Sequence, residues 1–219
     1  MGEHVTGRLL AERVRSSVSA LWLLCVALAL GGALAACSAP PAAQQPERPE
    51  QTPDSTEPQG GVGPMLLTSS AFQDGGRIPV EHCMAGVPGG GNVSLPLAWS
   101  QAPAGTASFA VFVVDRHPIA QNWVHWAVVD LPPSVTGLPA GASGSLDPPA
   151  RELVNTFGER GYGGPMPPPG SGEHPYEVTV YALDVGRLEI PDAPTAADIE
   201  RAVAGHVLAR AVLTGVFSR

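Results

Sequence analysis

Three short runs of β-branched and aromatic residues set the limits on what this chain can become. They are Ser108-Phe-Ala-Val-Phe-Val-Val-Asp115, Trp123-Val-His-Trp-Ala-Val-Val-Asp130 and Glu177-Val-Thr-Val-Tyr-Ala-Leu-Asp184, each bounded by Gly, Pro or Asp. Apolar runs of this length and composition predict strands. The second run is apolar on both alternating faces, as expected of a central strand covered on both sides. With 26 Gly and 24 Pro among 219 residues, a helical bundle is excluded. One helix is expected, with Thr195 as N-cap, Asp198 three residues on, and Ile199, Val203 and His206 along one side. It should end near His206 or Leu208, and Ala211 to Phe217 alternates as a last strand.

The N-terminus reads as an address. Arg8, Arg13 and Arg15 form a basic lead, residues from Ala20 to Ala33 are apolar apart from glycines, and Leu34-Ala35-Ala36-Cys37 closes the stretch. That ending resembles the lipobox of bacterial lipoproteins, which implies cleavage after residue 36 and acylation of Cys37. An uncleaved transmembrane anchor is the competing reading, because Val18 to Ala36 just reaches spanning length. Both place the domain outside the cytoplasm, and the lipobox places it on the outer face of a bacterial cell membrane. Residues 37–63 are rich in Pro, Gln, Glu, Ser and Gly with hardly an aliphatic side chain. Such a segment cannot bury enough apolar surface to offset the entropy of ordering, so it reads as a tether. A folded domain is expected over 64–219.

Charge and cysteine content narrow the partners. The chain carries 20 acids against 12 bases, a net charge of −8, and no basic run that could follow a phosphate backbone. Nucleic acid is therefore excluded as a partner, and attachment to a membrane must come from acyl chains on Cys37. Cys25 lies in the signal and Cys37 carries the lipid, so Cys83 has no disulfide partner and is expected to be a small buried hydrophobe.

A further set of motifs recurs in a fixed order. It runs Phe72-x-Asp74-Gly-Gly-Arg-Ile78-Pro79, Cys83, Leu95-Pro-Leu-Ala-Trp99-x-x-Ala-Pro103-Ala-Gly105-Thr106, Asp115, His125-Trp126, Asn155-Thr-Phe-Gly158-x-x-Gly161-Tyr162-Gly-Gly164-Pro165-x-Pro-Pro, His174-x-Tyr176 and Tyr181-Ala-Leu-Asp184. This resembles the phosphatidylethanolamine-binding protein family, in its bacterial branch named for similarity to Raf kinase inhibitor protein. The resemblance implies a mainly β fold, a large antiparallel sheet packed on a smaller sheet with few peripheral helices. It also implies an anion-binding cavity at one edge, formed by Asp115, His125, Gly164, Pro165, His174 and Tyr176, and places Trp99 and Trp126 at the centre of the sheet.

Such residues suit a small anion. Imidazoles can donate hydrogen bonds to phosphate, a neighbouring carboxylate orients one ring and favours its charged form, and N–H groups in a Gly-rich turn add donors. Each residue also has a plainer reading. A His between Trp123 and Trp126 is more often a satisfied core residue than a ligand, Asp115 could simply end a strand, Tyr162 could simply pack under the Gly-rich loop, and His174 could be exposed. Two departures from the family pattern stand out. The usual Asp-Pro-Asp-Ala-Pro run is replaced by Asp115-Arg116-His117-Pro118, and Pro175 stands where Arg is usual.

The favoured reading is a lipid-anchored binding module without enzymatic activity or cofactor, taking a phosphate or phospholipid headgroup, with a protein partner as a further option because family members are described as kinase or protease inhibitors. Two alternatives stand beside it. One is a metal-dependent hydrolase using Asp115, His125 and His174, although no His-x-x-x-His spacing and no adjacent nucleophile support it. The other is a purely structural envelope lipoprotein.

Overall fold

A computed structural model of the chain describes residues 64–219. The signal segment, the Cys37 lipidation site and the tether lie outside the described residues.

The elements in chain order are β1 (Leu66–Thr68), β2 (Gly76–Arg77), β3 (Leu97–Ser100), β4 (Ser108–Asp115), β5 (Trp123–Leu131), β6 (Gly137–Leu138), β7 (Arg151–Glu152), β8 (His174–Leu183), α1 (Ala196–Val203) and β9 (Val207–Phe217). The three apolar runs are β4, β5 and β8, and they lie side by side. A six-stranded sheet has the order β2-β9-β8-β4-β5-β7, and a three-stranded sheet has the order β1-β3-β6. The larger sheet is not wholly antiparallel, because β2 pairs parallel with β9 at Gly76↔Gly215 and Arg77↔Val216. Trp126 is fully buried but sits on β5, the fifth of the six strands and not the centre of the larger sheet, and Trp99 belongs to β3, the middle strand of the smaller one.

Alternation along β4 shows how the layers form. Phe109, Val111 and Val113 pack with Trp126, Val178 and Leu213 against Leu67, Leu97 and Trp99 of the small sheet. Ala110, Phe112 and Val114 point the other way, into a second cluster closed by Leu188, Ile199 and Val203. Both faces of β4 and β5 are thus covered. Burying each Val or Phe side chain contributes about 1.5–3 kcal/mol, which favours this three-layer arrangement over an open sheet.

Helix α1 begins where the sequence predicts. The Thr195 side chain accepts from Asp198 N, and the Asp198 carboxylate accepts from Thr195 N. It ends at Val203, short of His206, because Gly205 takes φ +83° and turns the chain back. Strand β9 starts correspondingly earlier, at Val207 instead of Ala211. Among the described residues no helix is long and apolar enough to cross a membrane.

Two irregularities in the β4–β5 ladder matter for function. Val113 pairs with Trp126 but Val114 pairs with Val124, so His125 is an extra residue on β5. Such a bulge re-aims side chains locally. As a result Val124 faces the α1 side while Trp126 faces the small sheet. The second irregularity lies near the other end of β5, where Asp130 has φ +62°.

Candidate functional site

Register places the site. Asp115, the last residue of β4, pairs with Trp123 at the start of β5 and with Tyr176 on β8. His125 lies two residues along β5 and His174 two residues before Tyr176, so four polar side chains gather at one end of the three central strands. They line a cavity of about 230 Å³ whose remaining walls are Ile119, Ala120, Trp123, Phe157, Met166, Pro167 and Pro168. All four are buried: Asp115 is 4% exposed, His125 3%, His174 1% and Tyr176 1%.

Hydrogen bonds assign protons to these groups. His125 Nδ1 lies 2.6 Å from the Gly163 carbonyl, which can only accept, so Nδ1 carries the hydrogen. Burial favours the uncharged ring and lowers its pKa from 6.5 to about 4, against the weaker opposing pull of the Gly163 bond and Asp115. Nε2 of the neutral ring is then a lone-pair acceptor with no protein partner. His174 Nδ1 lies 2.6 Å from Asp115 Oδ2, and its Nε2 lies 3.0 Å from Ser171 Oγ. Ser171 Oγ also lies 2.7 Å from Pro168 O, so Asp115 and Ser171 between them engage both His174 ring nitrogens. Asp115 Oδ1 accepts from His117 N at 2.8 Å. Tyr176 has no hydrogen-bonding partner for its hydroxyl, whose pKa burial raises.

Two expected wall residues lie elsewhere. Gly164 N donates to Asn92 Oδ1 at 2.7 Å, and Pro165 O accepts from Met84 N, so this turn is pinned into the protein. A Cβ at Gly164 would collide with the His82 carbonyl and the Cys83 backbone, which is why Gly stands there. Gly164 N is thus engaged within the protein, and the next residues, Met166, Pro167 and Pro168, line the cavity. Tyr162 lies under this loop, its hydroxyl donating to His82 O at 2.9 Å. Cys83 is fully buried, and burial pushes its thiol up to about 12.

The family departures also find places. Pro175 faces away from the cavity between the inward His174 and Tyr176, and its carbonyl accepts from Arg116 N. Arg116 turns outward as well, bonded to Glu177 and Asn122. The His117 ring stacks on His174 with centroids 3.9 Å apart. Among the described residues no group of three His, Cys, Asp or Glu side chains has the geometry of a metal site. In particular Asp115 and His174 direct their polar atoms at each other and at Ser171 and His117.

Sequence reasoning did not single out Trp123, Phe157, Ile119 or Ser171 as parts of the site. Phe157 could have been noticed inside the Asn155–Pro168 motif. Asn155 holds that loop by accepting from Phe157 N and Glu159 N and donating to Gly161 O, which presents the Phe157 ring to His125 at 5.4 Å.

Comparison with known proteins agrees with this architecture. The chain is 38% identical to the UPF0098 protein YbhB of Escherichia coli K12 over 159 residues, covering 70% of this chain and all of that protein. It is 36% identical over 166 residues to a Mycobacterium tuberculosis H37Rv protein named "Putative lipoprotein LppC", covering 76% of this chain and 78% of the other. The crystal structure of Escherichia coli YbcL, described as a new member of the mammalian PEBP family, superposes with a TM-score of 0.65 at 34% identity, covering 71% of this chain and 98% of that one. Residues 68–218 match the family model described as phosphatidylethanolamine-binding protein, and with the same sheets and motif order in place the chain belongs to that family.

Proposed function

We propose that the protein is a lipid-anchored binding protein of the bacterial cell envelope that holds a small phosphate-bearing anion in the cavity at Asp115, His125, His174 and Tyr176. The observation that carries this reading is a pair of polar atoms with no hydrogen bond to a protein group, the Tyr176 hydroxyl and His125 Nε2, on residues that line an otherwise largely apolar cavity. A mostly apolar cavity with a few convergent polar atoms is the usual form of a small-molecule site. Anchoring through Cys37 rests on the lipobox and on likeness to a relative named as a lipoprotein. The hydroxyl beside His174, Ser171 Oγ at 3.0 Å from Nε2, is directed at Pro168 O and does not line the cavity, so the arrangement suits binding rather than turnover.

The test is an NMR titration of the full-length protein with phosphate, phosphoethanolamine and phosphoglycerol. Signals of His125, Trp123 and Phe157 should move with micromolar to millimolar affinity; no shift with any of the three would reject the cavity reading. For the anchor, Cys37→Ala should leave the precursor uncleaved or release the protein from the detergent phase. A variant that is processed and partitions like wild type would refute it.

A further inference from the structure

The cavity's hydrogen-bond inventory goes beyond a general preference for anions. Its four polar side chains offer one free donor. His174 spends both ring nitrogens on Asp115 and Ser171, His125 spends its only N–H on Gly163 O, and Asp115 has none to give. Only the Tyr176 O–H remains. The Trp123 indole N–H is buried without a partner but is closed off from a molecule of water size. The backbone adds at most the Met166 N–H: Pro167 and Pro168 have no N–H, Ile119 N and Ala120 N bond to His117, and Phe157 N bonds to Asn155.

Charge tells the same story. The carboxylate of Asp115 faces His174, no Arg lines the cavity, and Arg116 is committed to Glu177 at 2.7 Å. An anion of two charges would enter an uncompensated, largely apolar site. An acceptor-only ligand would also set its lone pairs against His125 Nε2 and Asp115.

Resting on the anion reading above, we propose that the cavity selects phosphate groups by protonation state. It takes a singly charged phosphate monoester that presents its P–OH hydrogen to His125 Nε2 and accepts the Tyr176 hydroxyl proton, and it rejects phosphate dianions and sulfate. The ligand brings the proton that the site lacks.

The groups facing His125 are Asp115 on β4, His174 and Tyr176 on β8, and Phe157 from the loop; His117 stacks behind His174, and Tyr162 is bonded away to His82. With burial holding the His125 ring neutral down to about pH 4, the ligand's own ionisation dominates near neutrality.

The experiment measures affinity of the full-length protein for phenyl phosphate and for benzylphosphonate between pH 5 and 8, with sulfate and dimethyl phosphate as competitors. Phenyl phosphate should bind with constant affinity below its second pKa, about 6, and lose about tenfold per pH unit above it. Benzylphosphonate, the weaker acid, should hold its affinity to correspondingly higher pH. Neither competitor should displace them. Coincident pH profiles for the two ligands, or displacement by sulfate at equal concentration, would overturn the protonation selectivity while leaving anion binding in place. Failure of both ligands at every pH would remove the anion reading itself and this inference with it. His125→Gln, which offers an amide N–H at the same place, should raise sulfate affinity about tenfold relative to phenyl phosphate.

Discussion

Each end of the central strands holds a buried aspartate, and the two are built alike. Asp115 accepts from a backbone N–H, that of His117, and from His174; Asp130 accepts from Leu188 N at 2.8 Å and from Arg151 Nε at 2.6 Å. A ladder irregularity accompanies both. Yet one end opens on a cavity with unpartnered polar groups, and the other is sealed by the packing of Leu188 against the sheet. The cation makes the difference. A guanidinium keeps its charge and fixes the closed end, whereas an imidazolium can give its proton away. A buried carboxylate is therefore a structural staple or part of a site according to what it faces.

The largest test of that contrast replaces each carboxylate by an amide. Asn tolerates the left-handed backbone at position 130, so Asp130→Asn isolates the charge. It should cost about 3 kcal/mol, at the low end for breaking a buried pair because Arg151 is 29% exposed and can recover some hydration. Asp115→Asn should cost about half as much, since an imidazole, unlike a guanidinium, has an uncharged form and need not be left as an unpaired buried charge. Urea midpoints at pH 7 decide it, and a larger loss for Asp115→Asn would break the comparison.

Acid should find the open end first. Between pH 6.5 and 4 the unfolded chain protonates His125 while the folded chain does not, so stability present above pH 6.5 is lost on acidification, by about 3 kcal/mol at pH 4. Denaturation of wild type and His125→Gln at pH 7 and pH 4 should show a smaller acid loss in the variant. Equal losses would show that His125 is not held neutral.

Much of this architecture was legible and some was not, for identifiable reasons. Strands β4, β5 and β8 announce themselves because Val and aromatic residues are frequent in them and each apolar run closes on an Asp. The Thr195–Asp198 capping box marks the start of α1, but its end depended on the left-handed backbone at Gly205. The bulge at His125 has no local marker, because every neighbour is apolar and either face could have been inward; it emerges only from pairing with Val113 and Val114. The same limit explains Gly164 and Pro165. Their motif marks a constrained turn, and what the structure shows of that constraint is packing on Cys83 and a hydrogen bond to Asn92, which only the folded chain brings beside it.

Two indoles extend the contrast to the closed interior. Trp126 Nε1 donates to Glu152 Oε1 at 2.7 Å, while Trp99 Nε1 is buried without a partner. Trp126→Phe should therefore cost about 1–2 kcal/mol more than Trp99→Phe, because it removes a hydrogen bond to the half-buried Glu152 carboxylate. Equal denaturant midpoints for the two variants would show that bulk alone matters there.

The smallest stability effect belongs at the open end. Tyr176→Phe removes a hydroxyl that no protein group uses, so the midpoint should shift by no more than about 0.5 kcal/mol while phenyl phosphate affinity falls about tenfold. A large stability loss with unchanged affinity would reverse the roles assigned to the two ends.

The extra residue at His125 has a consequence for how this protein can change. Deleting that one residue would restore regular pairing between β4 and β5 and abolish the cavity's acceptor in the same step. In a library of β5 length variants, selection for folding alone should tolerate the shortened strand, whereas selection for ligand retention should discard it. The irregularity is thus heritable independently of the fold around it, and a survivor lacking it would be a well-paired sheet with nothing to bind.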